Sequence, residues 1–530
     1  MTRKSLERPK ITKRYVDVVH AIGALNVDGA SLRARMMVDG VDFWAASLVR
    51  ESSPWRPGFF ERLAALENGD NDRNSESLSN PSDWRIKAKT IWHCFASLAA
   101  GVLNRGESMQ GDVVFVGYLP ADSKGLSDVD AISRYFGDLP RHVESMGHRV
   151  SVLFLPIDSP VARMSRIERR SLSSMHRTMC SPALTSFLTV RAVTRGIRTW
   201  CRLQRSLSSW RRLKKFEIQS ADLAKLMPLL SKDLHESLGG TASLRVALLD
   251  AGFSAALTAK NGPKLVIYPY EGQGWEVCLE TVCQRLKIPS IAYLHTIVKP
   301  WDVRAHTGLR EAPPRVLALH GPYDRNELGD LACRGVSVEA LRYGYLGESR
   351  PNRNMGIDTR EELSITRDAT EKRMLVVLGS DCTDSTMQLN QLLAELAINP
   401  RGWKIFVKPH PQCSSMNFRE ESYEVVESNL SAALQTCNAV FLCGTAAPLD
   451  SYLSAIPTAC LVEPRGYSMN PLEPDDLYFV GKSIEEILNW FEGAISKTFL
   501  VPNASRFFDL DSGLKQWHDL ISRILSTNHG

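Results

Sequence analysis

The chain has 530 residues, too many for one compact core, and at a prior of about 150 residues per domain it predicts two large domains or three smaller ones. Apolar residues make up 44% and charged residues 23%, a balance that excludes both a disordered chain and a membrane bundle. The net charge is only +5, but fourteen Lys/Arg between Arg163 and Phe216 face the single acid Glu168, so the rest of the chain is acidic and a local contact with something anionic is expected.

The eleven cysteines are scattered singly, with no CxxC pair and no zinc-like spacing, which reads as reduced thiols of a cytoplasmic protein. The basic stretch from Met1 to Arg14 is not followed by the apolar segment of a signal peptide. No apolar run approaches the length that would span a bilayer.

In chain order, residues 15–66 predict a small opening subdomain of strand and helix, within a mixed N-terminal region 1–105. Residues 68–81 are polar and turn-rich, a surface loop, and Ile91, Cys94, Leu98 and Val102 give a helix over about 85–104. Asp112 to Gly117 and Arg149 to Leu155 are apolar, β-branched runs separated by a helical stretch, a βαβ unit that opens a domain over 106–350. The loop Tyr118 to Lys124 leaves the C-terminal end of the first of these strands without GxGxxG, so no dinucleotide is expected there. Asp128-Val-Asp130 has the look of a metal motif but reads better as first-turn acids at a helix start.

The basic insertion 163–216 interrupts the alternation. Val190, Val193, Ile197, Trp200, Leu203, Leu207 and Trp210 recur at helical steps, with Arg191, Arg195, Arg198, Arg202 and Arg205 over much of the remaining surface. Such a helix over 190–210 suits an anionic membrane surface, and equally suits packing on its own domain with a solvated basic face.

Strands then return at 264–268, 290–294 and 315–319, with a helix over 274–285. Arg350 to Asn354 reads as a linker, and a second domain over 351–530 follows, with strands at 373–378, 403–407, 439–442 and 458–462 and two closing helices near 483–492 and 514–525. The fold class is therefore α/β, two parallel-sheet domains facing a cleft, with a basic helical insertion.

Glu271 lies just past a strand and just before a helix, where a carboxylate can act as general base on an acceptor hydroxyl; Glu276, on the helix, is the rival carboxylate. His295 and His320 each follow a strand of the same domain. In the second domain Lys408-Pro409-His410-Pro411 stiffens the backbone around His410 at a strand end, where imidazole can donate to a phosphate oxygen and Lys408 can add charge. Gly444-Thr445, ahead of Pro448, forms a helix start suited to phosphate, and Ser380-Asp381 leaves another strand end. No ligand spacing supports a metal site, and no cofactor is expected.

Glu271-Gly272-Gln273-Gly274-Trp275-Glu276, Tyr293-Leu294-His295 and Lys408 to Pro411, in that order, resemble the bacterial surface carbohydrate biosynthesis proteins of capsule and O-antigen, which are similar to GT-B sialyltransferases and Kdo transferases. The resemblance covers roughly residues 110–480. It implies two Rossmann-like domains of the GT-B type and metal-independent transfer of a sugar, with a CMP-linked sialic- or Kdo-like acid favoured, to a lipid-linked glycan. It also implies Glu271 as base, His410 on the donor phosphate, Thr445 at the helix start, and a place at the cytoplasmic face of the inner membrane. Two departures stand out: Tyr270 precedes Glu271 where an acidic residue is common, and Gly444-Thr445-Ala446 replaces paired Ser/Thr. Lys-Pro-His-Pro also occurs in CDP-glycerol glycerophosphotransferases, so a CDP-polyol phosphotransferase remains an alternative, as do a nucleotide-sugar epimerase and a non-catalytic scaffold of a polysaccharide assembly complex. Nucleic acid is not an expected partner, since the basic region carries no recognised motif.

Overall fold

A computed structural model of the chain describes residues 10–27, 29–51, 109, 111–118, 132–133, 135–155, 184–207, 230, 233–258, 262–298, 309, 313–341, 371–379, 382–410, 422–426, 430–443, 448–461, 472–511 and 513–527. The expected loop at 68–81, the helix near 85–104, the Asp128–Asp130 pair, the linker at 350–354 and residues 163–183 and 208–216 of the basic insertion lie outside these residues. By its internal contacts the chain divides into two units: residues 1–320, 324–342 and 513–530, and residues 321–323 and 343–512.

The first unit is built on a six-stranded parallel sheet. Its strands are β1 (Val113–Tyr118), β2 (Val150–Leu155), β3 (Leu265–Tyr270), β4 (Ser290–Leu294), β5 (Val316–Leu319) and β6 (Gly335–Ser337), in the order β6-β5-β4-β3-β1-β2. Covered on both faces, the central strands are nearly continuous apolar runs; all six residues of β3 are buried. The two-residue period of a strand divides this sheet's side chains into two cores. Val114, Val116, Val266 and Tyr268 face one, and Val113, Phe115, Leu265 and Ile267 face the other.

The first core also takes in the N-terminal segment, through Tyr15, Val19, Phe43 and Trp44, so residues 10–51 belong to this unit instead of standing apart. This segment comprises the helix α1 (Lys10–Ala24), two tiny antiparallel hairpins and short helical turns. The second core is closed by the last helix of the chain, Lys515–Thr527, through Trp517 and Ile521. On sequence order this helix is expected with the second domain. Its Trp517 instead donates Nε1–H to the Glu339 carbonyl at 2.9 Å, and the Glu339 carboxylate accepts the amides of Gln516 and Trp517.

The basic helix α2 (Val190–Ser206) lies against α3 (Thr241–Leu257). Val193 packs with Leu244 and Leu248, Trp200 donates Nε1–H to Ser243 Oγ at 3.1 Å, and a Cβ on Gly196 would approach the Ala247 carbonyl to 3.0 Å. Its apolar side is therefore used inside the unit, and Arg191, Arg195, Arg198, Arg202 and Arg205 stay exposed. Arg202 pairs with Asp39 at 2.6 Å, while Arg195 lies 3.9 Å from the buried Asp250, whose main partner is Arg285 at 2.9 Å.

The second unit repeats the plan with six parallel strands. They are β7 (Lys372–Leu378), β8 (Trp403–Lys408), β9 (Glu424–Val425), β10 (Ala439–Cys443), β11 (Thr458–Leu461) and β12 (Tyr478–Gly481), in the order β9-β8-β7-β10-β11-β12. Counted from its own first strand, that is the 3-2-1-4-5-6 order of a Rossmann sheet. Helices α4 (Cys382–Ile398) and α5 (Ile484–Ala494) cover one face, where Leu389, Leu392, Ile487 and Phe491 meet Met374, Val376 and Phe441.

Candidate functional site

In a doubly wound parallel sheet, ligands bind beyond the carboxyl ends of the strands, at the point where strand order reverses. In the first unit that point falls between β1 and β3, which are paired neighbours. Tyr118 ends β1, and Glu271 is the residue after β3.

The turn after β3 runs straight into the helix Gly274–Leu286, with Gly272 at φ +74°, a conformation that favours glycine. The side chain of Gln273 organises it. Its carbonyl oxygen accepts hydrogen bonds from the Tyr118 hydroxyl and from Trp275 Nε1 at 2.9 Å, and its amide nitrogen donates to Glu271 Oε2 at 2.7 Å. The two donors on one side and the carboxylate on the other settle which end of the amide is which. Tyr118 and Trp275 also meet edge to face at 5.6 Å. Gln273 is a residue to which sequence reasoning assigned no role; the signal available was its place between Glu271 and the helix.

Glu276 has a different position. It is 1% exposed, and its carboxylate accepts the amides of Glu271 (3.0 and 3.1 Å) and Gln273 (2.9 Å). This is the reciprocal half of a capping box, which satisfies amides a helix start leaves without partners. Of the two carboxylates, Glu276 thus holds the turn, and the half-buried Glu271 is the one displayed by it.

His295 lies alongside. Its amide donates to the Tyr270 carbonyl at 3.4 Å, so it leaves β4 next to Glu271. Its Nδ1 is 3.1 Å from the Tyr293 hydroxyl, which donates its own proton to the Tyr135 carbonyl. His320, after β5, is buried, and its amide donates to Asp324 Oδ2 at 3.0 Å, while Asp324 Oδ1 accepts the Val298 amide at 2.9 Å. Complete burial pushes the Asp324 carboxyl up to about 7, although both amides favour its charged form.

In the second unit the order reverses between β7 and β10. Buried Ser385 pins these two strand ends: Gly379 N–H donates to Ser385 Oγ (3.0 Å) and to the Cys443 carbonyl (2.8 Å), and Ser385 Oγ–H donates to the same carbonyl at 2.9 Å. His410 leaves β8, one strand away, and is half-buried. Lys408 turns its Nζ to the Val426 carbonyl at 3.3 Å, beside the edge strand β9. Ser380, Asp381, Gly444, Thr445 and Pro411 lie outside the described residues. Among the described residues no group of His, Cys, Asp or Glu could hold a metal ion, and no helix is long and apolar enough to cross a membrane.

Two Rossmann-like units, each built on a six-stranded parallel sheet, define the class of this protein by fold. No family model matches the chain, and no curated relative does. Similar solved structures include the glycotransferase of kitacinnamycin, 14% identical, covering 79% of this chain and 100% of its own, at a TM-score of 0.36. The UDP-N-acetylglucosamine 2-epimerase from Rickettsia bellii is 10% identical over 78% of this chain and 96% of its own, at 0.42. The calicheamicin glycosyltransferase CalG4 is 11% identical over 80% and 96%, at 0.36.

Proposed function

We propose that the chain is a metal-independent glycosyltransferase of bacterial surface polysaccharide biosynthesis, moving a sugar from a nucleotide donor, CMP-linked in the favoured form, to a lipid-linked glycan. The observation that carries this reading is the Tyr118–Gln273–Glu271 network at the strand-order reversal of the first sheet. A carboxylate held there by a fixed neutral donor suits a general base that must accept a proton from one direction.

In the proposed reaction an acceptor oxygen bonds to the anomeric carbon of the donor as the bond from that carbon to the phosphate oxygen breaks. Glu271 takes the hydroxyl proton, and the nucleotide leaves with the bonding electron pair. His410 donates to the departing phosphate, with Gly444, Thr445, Ser380 and Asp381 as further residues that contact the sugar-nucleotide donor. The arginine stripe of α2 holds the protein at the anionic inner face of a membrane through charge alone, since the apolar side of that helix is occupied by α3.

The test is a thermal-shift screen of nucleotides and nucleotide sugars followed by product analysis, in which a ligand at a hundredfold its Kd stabilises by about 2.7 kcal/mol. A response to CMP or a CMP-sugar with product formation supports the reading, and a response to CDP alone points to polyol-phosphate transfer. If purified His410→Ala keeps wild-type turnover with every active donor, the donor assignment is wrong.

A further inference from the structure

Arg50 lies in the last turn of the short helix Leu48–Glu51 and is completely buried. Its Nε donates to the Ala45 carbonyl, and its Nη1 donates to the Gly272 carbonyl at 3.1 Å. Nη2 has no hydrogen-bond partner among the described residues. The arginine thus reaches 222 positions along the chain to the one carbonyl between Glu271 and Gln273.

The platform that carries it is tied down on several sides. The Tyr15 hydroxyl donates to the Val49 carbonyl, and the Leu48 amide donates to Ser237 Oγ at 3.0 Å. Asp42 Oδ1 accepts the Ala45 amide at 2.8 Å, closing the turn that presents the Ala45 carbonyl.

For stability alone this is a costly choice. A buried guanidinium loses its hydration, and replacing such a group by an apolar side chain of similar volume is often neutral or stabilising. Among the described residues, the bonds that Arg50 makes go to neutral carbonyls. Asp42, whose charge Arg50 and Arg33 favour, is itself held above the usual carboxylate range by burial. What the arginine does secure is geometry. Glu276 holds the amides of residues 271 and 273 from the helix side, and Arg50 holds the carbonyl of 272 from the N-terminal side. Together they hold the 272–273 peptide by both its carbonyl and its amide, while Glu276 also holds the amide of Glu271, so the backbone on either side of Glu271 has little freedom to rotate.

We infer that Arg50 is a positioning residue for Glu271, and that the N-terminal segment up to Glu51 is a working part of the site that Glu271 defines. The inference rests on the proposed transferase reading for its effect on rate, but its effect on the turn stands without it.

The experiment compares full-length wild type, Arg50→Met and Arg50→Lys by amide hydrogen exchange over residues 268–280, by thermal melting, and by transfer kinetics with any donor found active. In Arg50→Met, exchange of the 268–280 peptide rises at least about tenfold while the peptides over the second sheet are unchanged. The value of kcat falls about a hundredfold with KM for the donor held, as expected when a reacting group is misplaced. Arg50→Lys, which keeps a cationic donor group, falls between the two. Unchanged exchange at 268–280 overturns the inference, as does a rate loss that merely follows the fraction of folded protein. If no nucleotide sugar is turned over by wild type, the transferase reading fails, and the exchange comparison still decides whether Arg50 holds the turn.

Discussion

Gln273 Nε2 donates to Glu271 Oε2 over 2.7 Å, and the same amide's oxygen is held by Tyr118 from the neighbouring strand β1 and by Trp275 from the helix that follows. One side chain thus links the strand-order reversal of the first sheet to the carboxylate displayed beside it.

Replacing Gln273 by Leu removes that link without removing the carboxylate. On the proposed reading, transfer falls by about tenfold to a hundredfold in kcat, because an unrestrained carboxylate spends most of its time out of line with the acceptor. Steady-state kinetics beside a melting curve checks this: an unchanged kcat in a fully folded variant would detach Gln273 from the chemistry.

Glu276→Ala is expected to act first on stability. The substitution strips the amides of Glu271 and Gln273 of their buried acceptor, at a cost of about 2–3 kcal/mol. Urea unfolding of the isolated variant measures it. A loss near zero would mean that water replaces the carboxylate at the cap.

Asp324 makes stability depend on pH in a direction opposite to that of most carboxylates. Its folded-state value, raised by burial to about 7, exceeds the unfolded value of about 3.9, so the folded protein binds the extra proton between them. The contribution is fully present below pH about 4 and is lost as pH rises through about 7, a change on the order of a few kcal/mol. Asp324→Asn removes this component, which denaturant midpoints measured from pH 4 to 8 would reveal as a flatter profile.

The arginine stripe of α2 predicts a charge-only membrane contact. Changing Arg191, Arg198 and Arg205 together to Ala should weaken binding to anionic vesicles by about a hundredfold, at roughly 1 kcal/mol per residue, with the melting temperature preserved. Trp200 fluorescence should not shift on vesicle addition, because that indole is packed on α3 and bonded to Ser243. A blue shift with wild-type protein would show that the helix leaves its own domain to insert.

Much of this architecture is legible in the sequence, because a strand buried on both faces must be apolar throughout. Val113 to Val116, Leu265 to Tyr268 and Ala439 to Leu442 announce themselves that way, and a helical period places the helices Gly274–Leu286 and Ile484–Ala494. The edge strands Gly335–Ser337 and Glu424–Val425 were not legible, since such short, partly exposed runs carry no continuous apolar signature, whereas Tyr478–Gly481 was passed over although Leu477 to Val480 is apolar throughout. Nor was α3, whose buried surface extends so far around the helix that no amphipathic period marks it.

At the site, the sequence by itself determined which residues leave the strand ends: Glu271, His295 and His410 each follow an apolar run, and that order is a local property of the chain. Only the tertiary structure shows that Glu276 is the buried helix cap and Glu271 the carboxylate displayed beside it, because a carboxyl group is buried or displayed according to which amides fold onto it. It also brought Arg50 beneath Gly272 and the last helix back to the first sheet. These contacts join residues hundreds of positions apart, where neither period nor propensity records which buried surfaces will meet.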